Sequence, residues 1–271
     1  MPHLNLVVLT SGAMGVELAS ALRGLPEVRS LTVVSTRVEP RQELPQKLRR
    51  IYLYDGAGGL LRAALHRLHP RPRSSREQLA DLVERRCPGA THIHYDELHA
   101  PESLARLQAL APDLGIVFAT YRLRPVVFGI PRMGCLNLHL GRAPEFRGSS
   151  PGFYEMLEGV PEVGVTVHRV SEQLDGGPIL LQEMFPLDIA PPGDPMNYLK
   201  RYQAEMLVPH GIRMMVRAVE RVAHGVSEEQ APAGGSPPRP RATYRLKQEL
   251  RRRVAERRVQ GRELTFRLAK S

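Results

Sequence analysis

Three residues in the middle of the chain carry the side chains that an acyl transfer needs. Asn137 and His139 lie two residues apart within residues 134–141. Asp175 follows His139 by 36 residues in a glycine-containing segment. The amide can donate hydrogen bonds to a developing oxyanion, the imidazole can carry protons near neutral pH, and the carboxylate can orient and charge the imidazole. The trio therefore predicts acyl-group transfer in which no covalent enzyme intermediate is required.

The elements around these residues predict an α/β fold. An apolar run at 4–9, a helical pattern at 13–22 and a second apolar run at 31–35 read as β-α-β, the opening of a parallel sheet with helices on its faces. Further strands are expected at 92–95, 113–118, 133–139, 164–170 and 179–184. Asn137 and His139 would share a face near the carboxyl end of one strand, where open α/β sheets bind their ligands.

The helical patterns divide the chain into a domain and a tail. Residues 1–225 are predicted to form the catalytic domain, with an arginine-rich helical insertion at 37–90 whose helices lie at 46–54, 59–68 and 76–86. One long amphipathic helix is expected at 195–222, and its apolar face makes a homodimer plausible. Residues 226–271 are expected to be a linker and a short basic helical tail, and the Pro/Gly/Ala stretch 225–242 is expected to have no fixed structure.

Composition and charge limit the class of protein. A hydrophobic content of 42% is enough for a packed core, and no apolar run is long enough to span a membrane. Two cysteines and no targeting signal favour a reducing compartment, so a cytoplasmic protein is expected, and no metal site is predicted. Of the net charge of +10, most lies in residues 239–271, which hold twelve Lys or Arg against three Glu. Such a tail is either a solvated helix or a contact surface for a polyanion.

The loop after the first strand is a second candidate binding element. Ser11 and Gly12 stand before a helix, where backbone amides could bind an anion, although a plain tight turn explains the same residues. The loop lacks the full G-x-G-x-x-G spacing, so a dinucleotide site is not expected.

Several sequence blocks in the region 113–185 occur in the order and spacing of a known family. They are IPRMGCLNLH at 130–139, FRGSSP at 146–151, GVTVH at 164–168 and LDGGPIL at 174–180. With them the chain resembles the folate-dependent formyltransferases, the superfamily of the methionyl-tRNA, glycinamide ribonucleotide and sugar N-formyltransferases. The resemblance implies a Rossmann-like sheet, 10-formyltetrahydrofolate as formyl donor and co-substrate, and a primary amine as acceptor.

The resemblance also implies roles for individual residues. Asn137, His139 and Asp175 match the catalytic positions of the family. Donor-binding positions, against which the pterin would lie, correspond to Tyr121, Arg122, Leu123, Leu174, Gly176 and Gly177. Acceptor-binding positions correspond to Ser11, Gly12, Arg147 and Gly148.

The acceptor stays open at this point. Gly141 stands where the family commonly has a serine, and too few residues follow Asp175 for the C-terminal β-barrel of the tRNA enzyme, which favours a small-molecule amine. Formylation of methionyl-tRNA with help from the basic tail, and hydrolysis of the donor with water as acceptor, are alternative enzyme functions. A catalytically idle RNA-binding module is the alternative of a different class.

Overall fold

The computed structural model describes residues 3–37, 43–66, 75–226, 229–231 and 234–268. It contains a seven-stranded sheet in the order β3-β2-β1-β4-β5-β6-β7. The strands are β1 (Leu4–Thr10), β2 (Val28–Thr36), β3 (Thr91–Tyr95), β4 (Leu114–Phe118), β5 (Cys135–His139), β6 (Glu162–Arg169) and β7 (Ile179–Pro186). Strands β1 to β5 pair in parallel, and β6 pairs antiparallel with both β5 and β7. The predicted α/β, Rossmann-like fold with a mostly parallel sheet is confirmed.

Helices cover the sheet, as the periodicity predicts. They are α1 (Ala13–Arg23), α2 (Leu44–His66), α3 (Ser75–Arg86), α4 (Pro101–Ala109), α5 (Pro125–Phe128), α6 (Phe153–Glu158), α7 (Pro195–Tyr202), α8 (Val208–Ala223) and α9 (Tyr244–Leu268). Buried apolar side chains of the strands pack against α1 and α8 in the larger core and against the α4 side in a smaller one. The described residues contain no helix that is long and apolar enough to cross a membrane.

The segment predicted as an insertion is partly built into the core. Leu79, Val83 and Cys87, on α3 and just after it, are buried in the larger core. In α2 the helix is interrupted at Gly56, whose φ of 65° lies in the left-handed region, so the two predicted helices are halves of one broken helix. The end of the second predicted helix, residues 67–68, lies outside the described residues.

The long helix predicted at 195–222 contains an irregularity. Between α7 and α8 the chain forms a π-helical turn at Gln203–Leu207. Pro209 has no backbone N–H to donate four residues back, so the regular α-helical ladder cannot continue through this point. Such turns widen the helix locally and are frequent at functional sites.

The prediction that residues 225–242 have no fixed structure is wrong for the part that the structure describes. Gln230 pairs with Ile179 at the start of β7, and Arg239 pairs in parallel with Gly148. The Pro/Gly/Ala composition of this segment excludes a regular helix or strand, but hydrogen bonds to the rest of the domain order the backbone. The Arg239 amide donates to Arg147 O (2.8 Å), and the Ser149 amide donates to Arg239 O (3.0 Å).

The basic C-terminal helix is docked on the domain. Leu250 and Val254 of α9 are fully buried in the core. Arg257 donates to the carbonyls of Met156 (2.6 Å) and Leu157 (3.0 Å) at the end of α6. Arg251 forms an ion pair with Asp194 at 2.6 Å. A sizeable part of the positive charge of the tail is therefore used for intramolecular contacts.

Candidate active site

A cleft of about 520 Å³ opens at the carboxyl ends of β4 and β5. This position is beside the point where strand order reverses, because β2 and β3 lie on one side of β1 while β4 and β5 lie on the other. Open α/β sheets bind ligands at such switch points. One wall is formed by residues 117–123 after β4, and the opposite wall by residues 173–175 of the β6–β7 loop.

Asn137 places its amide between two acceptors at the base of this cleft. The Asn137 Nδ2 atom donates to Asp175 Oδ1 (3.3 Å) and lies 3.1 Å from His168 Nε2. Both hydrogens of the Asn137 amide are thus engaged. To donate to a ligand oxygen, Asn137 must give up one of these two bonds.

His139 lies two residues further along β5, and a backbone carbonyl holds its imidazole ring. Its Nε2 atom is 2.9 Å from the carbonyl oxygen of Phe146. Because a carbonyl can only accept, Nε2 must carry the hydrogen. The Nδ1 atom then faces the Asp175 carboxylate, 3.6 Å from Oδ2, and Nδ1 is the nitrogen available to a ligand.

Asp175 is held over both residues by its backbone and by a hydrogen bond. Its φ of 46° lies in the left-handed region, which is uncommon for a residue other than glycine and costs free energy that the surroundings must repay. The Gly148 amide donates to Asp175 Oδ2 at 2.9 Å. Burial disfavours the charged carboxylate, but the nearby His139 and His168 and the Gly148 amide outweigh it, so the pKa of Asp175 lies below its ordinary value. The structure thus brings the predicted trio together, with Asp175 as a carboxylate.

His168 is a fourth member of the cluster that sequence reasoning did not select. It lies on β6 directly opposite Asn137 and is buried. Its Nδ1 atom is 2.7 Å from the carbonyl of Arg169, so Nδ1 carries a hydrogen and Nε2 can accept from Asn137. The signal was present in the sequence, because His168 ends the block GVTVH, but antiparallel pairing was needed to place it.

Four of the six predicted donor-binding residues line the cleft: Tyr121, Arg122, Leu123 and Leu174. Leu123 is buried and supplies apolar surface, whereas Arg122 donates to the carbonyl of Glu172 (2.8 Å) and so joins the two walls. Tyr121 accepts a hydrogen bond from the Leu98 amide (3.0 Å). It also borders a neighbouring cleft of about 660 Å³ beside α4.

The other two predicted donor-binding residues serve the packing of the loop that carries Asp175. A Cβ on Gly176 would lie 2.7 Å from Arg147 Nη1, and a Cβ on Gly177 would overlap the carbonyl of Arg169. Neither glycine is part of the cleft lining. Their lack of a side chain lets the loop approach protein groups closely.

The predicted acceptor-binding residues divide in the same way. Gly148 lines the cleft, but Ser11 and Gly12 do not. The Ser11 amide donates to Ala119 O (3.1 Å) and the Gly12 amide to the Thr10 hydroxyl (3.3 Å). The amides of these two residues are therefore engaged within the protein rather than turned toward an anion.

Arg147 is buried and holds backbone rather than lining the cleft. Its guanidinium donates to Ser236 O through Nη2 (2.5 Å) and Nε (3.1 Å), and to Leu174 O at 3.5 Å. These contacts join the residue before Asp175 to the C-terminal segment. They give Arg147 a positioning role, and its predicted contact with the acceptor has no support in this geometry.

The first residue of the π-helical turn lines the cleft, and nothing in the sequence pattern singled it out. Gln203 lines the cleft, and its Nε2 atom donates to Pro151 O at 2.7 Å. A polar residue in an amphipathic pattern carries no signal for such a position.

Neither cysteine is available for covalent chemistry. Cys87 and Cys135 are both buried free thiols. Burial raises the pKa of Cys135 to about 12, although Arg169 acts in the opposite direction, and burial also raises the pKa of Cys87. Both thiols remain protonated at neutral pH, in agreement with a mechanism that needs no enzyme nucleophile.

Comparison with known proteins identifies the class that this fold and site define. Residues 70–206, half of the chain, match the family described as formyl transferase, and the chain belongs to that family. Members of the family use 10-formyltetrahydrofolate as formyl donor. The prediction of a member of the folate-dependent formyltransferases, a family of enzymes, is confirmed.

One curated relative and two solved structures show how far the similarity extends. The methionyl-tRNA formyltransferase of Pseudomonas syringae is 36% identical over 129 residues, which are 47% of this chain and 39% of that enzyme. The chain thus matches well under half the length of this relative.

The structural matches cover more of the chain at lower identity. Glycinamide ribonucleotide transformylase 1 of Symbiobacterium toebii superposes with a TM-score of 0.55 at 22% identity, covering 85% of this chain and 95% of that one. A 4-N formyltransferase of Francisella tularensis gives 0.57 at 13% identity, covering 88% and 76%. At such identities these two structures support the fold alone.

Proposed function

We propose that this protein transfers the formyl group of 10-formyltetrahydrofolate to a primary amine of a small-molecule acceptor. The observation that carries the proposal is the convergence of Asn137, His139 and Asp175 at the base of one cleft. The Asp175 carboxylate lies 3.3 Å from Asn137 Nδ2 and 3.6 Å from His139 Nδ1. An amide donor, an imidazole and a carboxylate around one point suit attack of an amine on a formamide-like carbonyl.

The geometry suggests where the reacting carbon would lie. Asn137 and His139 both line the cleft, and His139 Nδ1 is 3.6 Å from Asp175, so we expect the ligand oxygen to lie in the cleft where both side chains can donate to it. Attack by a neutral amine forms the C–N bond and moves the carbonyl electron pair onto oxygen, where Asn137 Nδ2 and a protonated His139 stabilise it. One such donor is worth roughly 3–4 kcal/mol in related chemistry.

The proton of the attacking amine needs an acceptor next to the new bond. Asp175 is ionised, because its pKa is lowered, and can take this proton directly or through water. The bond to the tetrahydrofolate nitrogen then breaks, and that nitrogen takes a proton from His139 or water. His168 supports the step by accepting from Asn137, which keeps the amide turned toward the reacting oxygen.

The wall formed by residues 117–123 fits the donor. It offers apolar surface from Leu123 and from Phe118 at the end of β4, beside the loop residues Tyr121 and Arg122. A flat pterin needs this combination of apolar faces and backbone polar groups at its edge.

The acceptor side is formed by shorter and more polar residues. Gly148, Ser149 and Gln203 also line the cleft. Gly141 lies next to His139 Nε2. A glycine in place of the family's serine therefore affects the position of the imidazole, and this residue does not contact the acceptor directly. We expect a small amine to reach the trio over Ser149.

Methionyl-tRNA is a second candidate acceptor, because curated relatives that act on it share over a third of the residues in the matched segment. The basic tail supports tRNA binding less than its net charge suggests, because some of its arginines contact the protein itself. Arg251 and Arg257 are held by intramolecular partners, whereas Arg245 is exposed on α9.

A donor-consumption assay tests the proposed function. The full-length protein is incubated with 10-formyltetrahydrofolate and a panel of amines, including amino sugars, phosphorylated amines and methionyl-tRNA. Transfer to a small amine that does not fall with salt supports the proposal. Transfer only to methionyl-tRNA with a steep salt dependence favours the second candidate, and formate release without any amine indicates hydrolysis.

Alanine variants separate an enzyme from a binding module. Asn137→Ala, His139→Ala and Asp175→Ala should each lower turnover by roughly 10² or more. Asn197→Ala, the same change at an exposed position on α7, is the matched control and should leave turnover unchanged. Full activity in the three variants would refute the assignment.

A further inference from the structure

One peptide group in the loop after β5 has hydrogen-bond partners on both sides. Its carbonyl oxygen, that of Arg147, accepts from the Arg239 amide at 2.8 Å. Its N–H, that of Gly148, donates to Asp175 Oδ2 at 2.9 Å. Because the C=O and the N–H of a trans peptide point in opposite directions, this group lies between the backbone of Arg239 and the Asp175 carboxylate.

Gly148 depends on Arg239 for its position. Its φ of 98° lies in the region that favours glycine, and a Cβ built on it would overlap the carbonyl oxygen of Arg239. The Ser149 amide donates to that same oxygen at 3.0 Å. The backbone of Arg239 therefore contacts the loop on both sides of Gly148 and sets the direction of the Gly148 N–H.

The hydrogen bond from Gly148 can hold Asp175 while a ligand occupies the site. Asp175 Oδ1 accepts from Asn137 Nδ2 at 3.3 Å, and Oδ2 accepts from Gly148. Asn137 must give up one of its present bonds to donate to a ligand oxygen, whereas the Gly148 amide has no second task. The φ of 46° at Asp175 costs free energy, which such a contact must offset.

The segment 234–242, which carries Arg239, is also anchored by other contacts. Three hydrogen bonds join it to the domain: Arg147 Nε to Ser236 O (3.1 Å), the Tyr154 hydroxyl to Pro240 O (2.8 Å) and the Ala242 amide to Ser150 Oγ (3.1 Å). These anchors lie on both sides of Arg239, so they hold its amide in place without its side chain. That side chain forms an ion pair with Glu158 at 2.6 Å.

We propose that Arg239 is a positioning residue for Asp175: its backbone amide orients and polarises the Arg147–Gly148 peptide, whose N–H holds the carboxylate at the base of the cleft. Hydrogen bonds in such a chain strengthen one another inside a protein. The support of the active site then includes residues after 225, where the catalytic domain is predicted to end. The catalytic use of Asp175 rests on the proposed function, whereas the coupling from Arg239 to Gly148 does not depend on it.

Selective labelling isolates this peptide group by NMR. Only two arginines of the chain directly precede a glycine, Arg23 and Arg147. Arginine labelled with ¹³C at the carbonyl, combined with glycine labelled with ¹⁵N, therefore gives two cross-peaks in an HNCO spectrum of the full-length protein. Arg23→Lys removes one of them and so assigns both. The Gly148 peak reports the Arg147 carbonyl and the Gly148 N–H together, and the Gly24 peak is the internal reference.

Arg239→Pro removes the amide hydrogen at a position that suits proline. Residues 237, 238 and 240 are prolines, and a residue before proline is already restricted to extended conformations. The Arg147 ¹³C signal and the Gly148 ¹H signal should both shift upfield, because both hydrogen bonds weaken. Arg239→Ala keeps the amide and removes the side chain, so it is the matched control and should leave both signals near their wild-type positions.

Two results would overturn the coupling. One is a Gly148 proton signal that stays in place in Arg239→Pro while the carbonyl signal shifts, and the other is an equal shift in the proline and alanine variants. Asp175→Asn tests the same chain from its other end and decides the matter if Arg239→Pro does not fold. Loss of the charge should move the Arg147 carbonyl signal together with the Gly148 proton signal, and an unmoved carbonyl signal would also refute the proposal.

Turnover gives the functional arm. With an acceptor found in the panel, kcat of Arg239→Pro should be about tenfold below that of Arg239→Ala, with KM for the donor unchanged, as expected for a misplaced catalytic group. Equal kcat values would overturn the positioning role. If the wild-type protein turns over no acceptor, the proposed function fails, while the NMR result still decides the coupling.

Discussion

Gly141→Ala probes the hydrogen bond that orients His139. A Cβ at position 141 would lie 2.7 Å from the Phe146 carbonyl oxygen and closer still to His139 Nε2, so it would enter the space of that bond from the side. Gly141 is not among the glycines with positive φ. Any effect of the substitution therefore comes from contact and not from backbone strain.

The magnitude follows from these distances. Ordinary contact for a Cβ begins at 3.4 Å, so the Phe146 carbonyl oxygen must move away from it by about 0.7 Å and His139 Nε2 by about 1.0 Å. Misplacement of a catalytic group by about 1 Å can cost roughly 10² in rate, so we expect kcat to fall about 10- to 100-fold. Overpacking of this kind also costs roughly 1–3 kcal/mol of unfolding free energy.

The assay is turnover of 10-formyltetrahydrofolate alongside urea unfolding. Gly24→Ala is the control, because its Cβ would meet only Ala21 O, at 3.8 Å, in an ordinary helical backbone. Tetrahydrofolate binding should change little, since Gly141 does not line the cleft. Wild-type kcat in Gly141→Ala would refute the idea that the Phe146 carbonyl positions the imidazole.

Three further outcomes are expected. The lowered pKa of Asp175 contributes stability that is present above its ordinary value of 3.8 and is lost as pH falls through the lowered one. Wild-type protein should therefore lose more unfolding free energy than Asp175→Asn between about pH 5 and about pH 3, and equal losses in chemical denaturation would contradict this. Neither Cys87 nor Cys135 should react with Ellman's reagent at about pH 8 until the protein is unfolded, and rapid labelling of the native protein would show that the raised thiol pKa values are wrong. Arg257→Ala should lower the unfolding free energy in urea by about 1 kcal/mol, because the carbonyls of Met156 and Leu157 each lose one of two donors and keep the Gly159 amide and Arg253. Arg252→Ala, at an exposed arginine of the same helix, should leave the unfolding free energy unchanged, and equal effects of the two changes would argue against docking of α9.

The sequence was sufficient for elements whose patterns are local. The alternation of Asn137 and His139 on β5 places these two side chains near one edge of the sheet without any coordinates, and the resemblance to the family adds Asp175. The periodicity of α1, α3 and α4 is equally plain, because an amphipathic helix records its buried face in every turn.

What the sequence did not indicate depends on contacts between distant segments. His168 meets Asn137 only through an antiparallel register. Residues 229–242 look unstructured by composition, yet Arg239 pairs with Gly148. Gln203 faces the cleft from within a π-helical turn. The first two features are set by partners dozens of residues away, which single-chain patterns cannot specify.

The hairpin between β6 and β7 contains both tightly packed backbone and exposed surface within a few residues. Gly176 and Gly177 are locked against Arg147 and Arg169, so the stem that carries Asp175 tolerates little change. Glu172 and Gln173 at its tip are exposed, and Gln173 reaches the mouth of the cleft. Hairpin tips accept replacement and insertion without disturbing the register of their strands. Randomising these two positions would thus be an economical route to variants that admit bulkier amines while the chemistry beneath stays intact.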